Sequence, residues 1–98
     1  MQTARKAVIF FLQDHRHKDV ISIIESHSGA IEKWALSFHG DGKFPHSHLV
    51  LLFKEEIELS LLARYFRVPL CNINAFLCSF EAMEAYVTQD GKYPVLKG

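Results

Sequence analysis

A short, uninterrupted apolar run near the start of the chain, Ala7–Leu12, constrains its fold most. The run contains only aliphatic and aromatic residues, and such a segment between polar residues is typical of a strand that is buried on both faces. It is far too short for a membrane span or for the core of a signal peptide. The sequence therefore predicts a strand here and no interaction with a membrane.

Beyond this strand, the apolar residues alternate between helical and strand spacing. The predicted helices are Val20–His27, Glu55–Phe66 and Phe80–Val87, and the predicted strands are Trp34–His39, His46–Phe53 and Asn72–Leu77. Glycines and a proline predict a turn over Gly40–Pro45. The order of these elements predicts an α+β fold of ferredoxin-like type, in which split β-α-β units share one antiparallel central sheet and the helices pack mainly on one face.

The composition is that of one small globular domain. Of the 98 residues, 49% are hydrophobic and 22% are charged, so we expect residues 1–98 to fold as a single domain. Eleven basic residues balance eleven acidic ones, and this argues against a protein that binds nucleic acid through basic charge alone. Cys71 and Cys78 follow no secretory signal, which predicts a reduced, intracellular and soluble protein with free, buried thiols.

All six histidines lie in the first half of the chain, and three of them belong to the predicted hairpin. Period-two alternation puts Leu36 and its bulky neighbours on the face that packs against the helices. It puts His39, His46 and His48 together on the opposite, open face, at the same end of the hairpin. The other three histidines lie in a predicted loop and at a helix end, where they have no such partners.

Three imidazoles at one end of a hairpin form a candidate metal site. Neighbours on one strand face are about 6.5–7 Å apart, so His46 and His48 can reach one ion through bonds of about 2.1 Å. His39 can supply a third nitrogen from across the turn, and Asp41 can add a carboxylate while positions stay open for water or a phosphate oxygen. The alternative is that these histidines are solvated side chains on an exposed sheet.

Two segments of the chain resemble a known family. Pro45–Leu51, preceded by Ala35–Asp41, resembles the metal-binding hairpin of HUH endonucleases, most closely that of rolling-circle replication initiator (Rep) proteins of small Gram-positive plasmids. Ala85–Tyr93 resembles the tyrosine helix of the same family in position and in sequence. The resemblance extends from the first strand to Tyr93.

This resemblance implies a metal-dependent enzyme that nicks and rejoins single-stranded DNA. A divalent ion, Mn²⁺ or Mg²⁺, would be held by His39, His46 and His48, with Asp41 as a further ligand. Tyr86 would attack the scissile phosphate and form a 5′-phosphotyrosine, leaving a free 3′-hydroxyl that primes rolling-circle replication. Tyr86 has an ordinary alternative role as a packed residue at the edge of the apolar stripe of its helix.

Several charged or polar residues complete the implied site. Gln89 occupies a position at which relatives often carry Lys or His, so it can hydrogen-bond a phosphate without adding charge, and Lys92 is the candidate to supply that charge. Where the family usually has a hydrophobic residue between the paired histidines, this chain has Ser47. The candidate DNA-binding residues are Lys43, Lys92, Arg5 and Lys6.

The expected partner is single-stranded DNA that contains an origin hairpin, in the bacterial cytoplasm or in the nucleus for a eukaryotic single-stranded DNA virus. Relatives usually carry a helicase or oligomerisation segment outside such a domain. Ligating histidines must be neutral, so we expect activity to fall below about pH 6.5. Two alternatives remain open, namely a non-catalytic nucleic-acid-binding module of the same fold and a relaxase or single-tyrosine transposase.

Overall fold

A computed structural model describes residues 2–12, 17–40 and 45–98 of the chain. The elements are β1 (Thr3–Phe11), α1 (His17–Ser26), β2 (Ile31–His39), β3 (His46–Glu58), α2 (Leu59–Phe66), β4 (Ile73–Ala75), α3 (Phe80–Thr88) and β5 (Val95–Lys97), with one 3-10 turn at Leu70–Asn72. The central residues of the predicted turn between β2 and β3 lie outside the described residues.

The strands form one antiparallel sheet in the order β4-β1-β3-β2-β5. β1 and β2 are connected through α1 with β3 between them, and β3 and β4 are connected through α2 with β1 between them. These are two split β-α-β units on one sheet, as in a ferredoxin-like arrangement. The predicted α+β fold class is therefore confirmed.

The sheet has a large core on one face and a small one on the other. Helices α1 and α2 cover the first face, where Ile9 of β1 packs with Leu36 and Leu51. Helix α3 packs on the second face, through a smaller cluster that includes Ala35 and Val50. Two of the three helices thus share one face, and β1 has apolar neighbours on both of its faces, as the run Ala7–Leu12 predicts.

Several element boundaries differ from the sequence prediction. Glu55–Glu58 belongs to β3 rather than to α2, because the end of β3 pairs with the start of β1 at Ala4↔Ile57. Helix α1 begins earlier than expected, at His17. The strand predicted over Asn72–Leu77 is reduced to the three residues of β4.

The carboxyl-terminal part of the chain contains one predicted and one unpredicted element. Helix α3 begins where expected, since the Ser79 hydroxyl accepts a hydrogen bond of 3.1 Å from the backbone N–H of Ala82. Strand β5 was not predicted, because three residues are too few for a recognisable alternation. It pairs with β2, with Leu96 opposite Leu36.

Both cysteines are free, as predicted, but the expectation that they are buried is wrong. Cys71 lies in the 3-10 turn and Cys78 in the segment before α3, and both are exposed. Across the part of the chain that the structure describes, none of the helices has the length and apolar character that a membrane crossing requires.

Candidate active site

The β2–β3 hairpin brings three of the predicted metal ligands together. His39 pairs with His46, and Ser37 pairs with His48, so that alternation along both strands puts the three imidazoles on one face. One ligand nitrogen from each ring lies within 4.8 Å of the others. The ring centroids are 4.8 Å (His39–His46), 4.9 Å (His39–His48) and 5.2 Å (His46–His48) apart. The predicted clustering of the three histidines is confirmed.

Helix α3 covers part of the sheet face that carries these histidines. The sequence predicts an open face, but His39 is buried, with 7% of its surface exposed, whereas His46 and His48 are partly buried. The cover depends on Val87 of α3, which packs in the same apolar cluster as Ala35 of β2. The small side chain of Ala35 lets the helix approach the sheet, and the site is therefore a cleft rather than a flat surface.

The buried His39 ring is held in one tautomer by helix α3. Its Nε2 lies 2.7 Å from the backbone carbonyl oxygen of Val87 and 3.2 Å from the hydroxyl of Ser37. A carbonyl oxygen only accepts hydrogen bonds, so Nε2 must carry the proton. In a neutral imidazole Nδ1 then carries the lone pair that can bind a metal ion. Metal-bound histidines commonly donate their second ring N–H to such a carbonyl, and His39 therefore fits the role of a ligand.

His48 is kept neutral by its surroundings. Burial, together with the smaller effect of charge on the neighbouring His39 and His46 rings, lowers the pKa of this imidazole from its ordinary value of 6.5 to about 4. Part of that burial comes from Phe10 of β1, whose ring centroid lies 5.3 Å from that of His46 and 5.4 Å from that of His48. At neutral pH the His48 ring is thus unprotonated and can donate a lone pair.

This donor set suits a divalent metal ion. A ligating imidazole must be neutral, and the low pKa of His48 meets this condition for that ring. The hydrogen bond from Nε2 of His39 leaves Nδ1 as the ligand atom of that ring. Nitrogens within 4.8 Å of one another need only small ring rotations to reach a common ion through bonds of about 2.1 Å. Asp41, the fourth ligand expected from the sequence, lies outside the described residues.

The three histidines share one open cleft of about 850 Å³ with the predicted nucleophile. Tyr86 is 78% exposed, so it is not the packed residue at the edge of the apolar stripe that the alternative role requires. The residues that line the cleft are His39, His46, His48, Ala82, Ala85, Tyr86, Val87, Gln89 and Asp90.

Gln89 has both a backbone role and a place in the cleft. It ends α3 in the left-handed region (φ 51°), with its N–H 3.3 Å from the carbonyl oxygen of Tyr86. Asp90 (φ 57°) and Gly91 (φ 92°) continue in the same region, and this turn redirects the chain toward β5. Gln89 lines the same cleft as Tyr86, in agreement with the expected proximity of the two residues.

The predicted DNA-binding residues are distributed unevenly around the molecule. Lys92 is adjacent to the cleft, with Nζ 5.4 Å from the centroid of the Tyr93 ring. Lys6 lies four positions along β1 from Phe10, which is about 13 Å along the strand from this neighbour of His46 and His48. Its ammonium donates hydrogen bonds to two backbone carbonyls before α3, at 3.0 Å and 2.6 Å. Arg5 donates from Nε to the carbonyl oxygen of Phe53 at 3.1 Å.

These contacts give Arg5 and Lys6 structural partners away from the cleft. Of the candidate DNA-binding residues that the structure describes, Lys92 is the one whose ammonium lies beside a residue that contacts the site, Tyr93. Lys43 lies outside the described residues.

Sequence reasoning gave no role to Tyr93, although this residue contacts the site directly. Its ring stacks on His39, with centroids 3.9 Å apart and planes 12° from parallel. The contact arises because the chain turns back after α3 and pairs as β5 with β2. Since β5 was not predicted, the sequence offered no signal that Tyr93 returns to the hairpin.

No protein-family model matches this chain, and no curated protein matches it either. An inference about its function therefore rests on the geometry of the cleft.

Proposed function

We propose that the chain is a metal-dependent endonuclease domain of the HUH type, which nicks and rejoins single-stranded DNA at a replication origin. The observation that carries the proposal is that one cleft contains three clustered histidine donors and an exposed tyrosine. Packed structural tyrosines are buried, and solvated histidines do not need a fixed tautomer. An enzyme that uses a tyrosine on a metal-bound phosphate needs both features together.

The ion would be held by His39, His46 and His48, and when bound it would supply positive charge that polarises the scissile phosphate. This charge is relevant because the chain has no net positive charge of its own. Imidazole nitrogens bind Mn²⁺ better than Mg²⁺, which prefers oxygen ligands, so the histidines favour Mn²⁺ of the two ions.

Tyr86 would act as the nucleophile. Its phenol oxygen forms a bond to phosphorus while the bond from phosphorus to the 3′-oxygen of the preceding nucleotide breaks. The phenol proton passes to solvent, and the departing 3′-oxygen takes up a proton, so that the step involves no net change in protons or electrons. The products are a 5′-phosphotyrosine and a 3′-hydroxyl, and the reverse step rejoins the strand.

The neighbours of Tyr86 on α3 suit this role. Ala82 and Ala85 line the same cleft with short side chains, and they leave room beside the phenol for a DNA backbone. Gln89 can donate its amide N–H to a phosphate oxygen, and Lys92 can contribute charge at the edge of the cleft. The protein would act in the bacterial cytoplasm, or in the nucleus for a virus of eukaryotes.

Among the described residues, nothing favours a non-catalytic binding module. Such modules stack bases on exposed aromatic residues of a sheet. The well-exposed aromatic residues in the described part of the chain are Tyr65 and Tyr86, and both lie on helices. A relaxase or single-tyrosine transposase would use the same chemistry, and the DNA substrate distinguishes these enzymes from a replication initiator.

The proposal can be tested with a pool of random-sequence single-stranded DNA labelled at its 3′ end. A 5′-phosphotyrosine keeps the labelled fragment on the protein, so we expect an adduct with Mn²⁺ that survives a denaturing gel and disappears with EDTA. Sequencing the trapped strands would then reveal the recognised origin.

Tyr86→Phe should abolish the adduct, because it removes the attacking oxygen. The matched control is Tyr65→Phe, which changes an exposed tyrosine on α2 and should leave the adduct unchanged. An adduct of normal yield in Tyr86→Phe, or in the double variant His46→Ala with His48→Ala, would contradict the proposal.

A further inference from the structure

Two contacts from the chain segment that follows Tyr86 hold the His39 ring. The carbonyl oxygen of Val87 accepts the hydrogen bond from Nε2 at 2.7 Å, at the edge of the ring. The Tyr93 ring lies nearly parallel to the face of His39, at a centroid distance of 3.9 Å. The hydrogen bond fixes the tautomer and the stack restricts the tilt of the ring, so that together they fix the direction of the Nδ1 lone pair.

Tyr93 is itself held from both sides. Its backbone N–H donates to the carbonyl oxygen of Thr88 at 3.1 Å, which ties it to the end of α3. The next residue, Pro94, accepts a hydrogen bond of 3.2 Å from the backbone N–H of Phe38 on β2. The backbone that carries the Tyr93 ring is therefore fixed between the helix that carries Tyr86 and the strand that carries His39.

From these contacts we propose that Tyr93 is a positioning residue of the metal centre, which orients His39 and couples ion binding to the end of helix α3. The inference rests on the proposed function only in so far as the histidines bind an ion. Its test measures binding rather than DNA cleavage, and the two ideas can therefore fail separately.

The expected size of the effect follows from the role of residues that orient metal ligands. Loss of such a residue commonly weakens metal binding by about 10-fold to 100-fold. Tyr93 contributes one of at least two constraints on His39, since the Val87 hydrogen bond stays in place. We therefore expect Tyr93→Leu to weaken Mn²⁺ binding by about 10-fold, the lower end of this range.

The experiment is a calorimetric titration of the whole chain with Mn²⁺ for the wild type and three variants. Tyr93→Phe keeps the stacked ring and should retain affinity within about twofold of the wild type, whereas Tyr93→Leu should lose about 10-fold. The control is Tyr65→Leu. Tyr65 also packs against a histidine, His27, with centroids 4.4 Å apart and planes tilted by 32°. This pair lies away from the cleft, so the variant should bind Mn²⁺ normally.

A second readout tests the coupling. Because binding effects are reciprocal, an ion that fixes His39 must also stabilise the segment that holds His39. We expect Mn²⁺ to slow hydrogen exchange of the backbone N–H groups of Asp90 and Tyr93, which donate to Ala85 and Thr88 of α3. In Tyr93→Leu this slowing should be smaller at equal occupancy of the site, a difference that a general loss of stability would not produce.

The possible results separate the two ideas. Wild-type affinity in Tyr93→Leu, or an equal loss in Tyr93→Phe and Tyr93→Leu, would overturn the positioning role even if the DNA adduct forms. Normal Mn²⁺ binding with the expected loss in Tyr93→Leu, but without any DNA adduct, would support the positioning role and contradict the proposed function. A wild-type chain that does not bind Mn²⁺ would overturn both.

Discussion

Acidification should destabilise the metal-free protein through His48 in particular. The pKa of this imidazole is about 4 in the folded chain, against an ordinary value of 6.5, because the ring is buried beside His39 and His46. Between these two pH values the unfolded chain binds a proton at His48 that the folded chain does not bind. The resulting stability is therefore present in full above pH 6.5 and is lost as the pH falls toward 4.

The size of this loss follows from the shift in pKa. A lowering from 6.5 to about 4 corresponds to at most about 3 kcal/mol of folding free energy. The His48 side chain is only partly buried, so water screens part of the charge in the folded state. We therefore expect His48 to account for a loss of about 1–2 kcal/mol.

Urea denaturation in the presence of EDTA, at pH values from about 7 to 4, measures this contribution. His48→Gln removes the titrating group and keeps a neutral polar side chain. Its free energy of unfolding should fall less steeply with acidification than that of the wild type. Between pH 7 and pH 4 the wild type should lose about 1–2 kcal/mol more than the variant. Parallel pH profiles for the two proteins would refute the reasoning, because they would show that His48 does not cause the loss of stability at low pH.

Three further predictions concern the cleft and its surroundings. Gln89→Gly relieves a left-handed backbone conformation (φ 51°) and should raise the free energy of unfolding by about 1 kcal/mol in a thermal melt. The same variant should nick DNA more slowly, because it lacks the amide that contacts phosphate in the proposed function. Zn²⁺ and Mn²⁺ should raise the melting temperature more than equal concentrations of Mg²⁺, because the described ligands are all imidazoles; a larger shift with Mg²⁺ would count against these ligands. Lys6→Met should lower stability by about 1 kcal/mol through its two lost hydrogen bonds to carbonyls and leave DNA affinity unchanged in a filter-binding assay.

The hairpin could be predicted from the sequence because its geometry is local. Alternation along a strand has a period of two, and a short connection between two strands requires them to be neighbours, so the shared face of His39, His46 and His48 follows from their positions. The exposed Tyr86 could be proposed only from the resemblance to a family. Its helical spacing is equally consistent with a packed residue.

The cover on the site could not be predicted, because it depends on contacts between distant parts of the chain. Burial of His39 requires α3 to pack on the face opposite to α1 and α2, and the apolar stripe of α3 does not specify which face it covers. The stack of Tyr93 on His39 depends on β5, a strand of three residues. Likewise, Glu55–Glu58 has helical spacing, but its backbone extends β3 toward β1.

The central claim is that the three histidines bind one divalent ion in the cleft that contains Tyr86. The most direct measurement is anomalous diffraction from crystals grown with Mn²⁺ and collected at the manganese absorption edge. We predict one strong peak at bonding distance from a nitrogen of each of His39, His46 and His48, on the side of the cleft that Tyr86 lines. If no manganese peak lies among these nitrogens, or if the peak lies elsewhere in the molecule, the claim is contradicted.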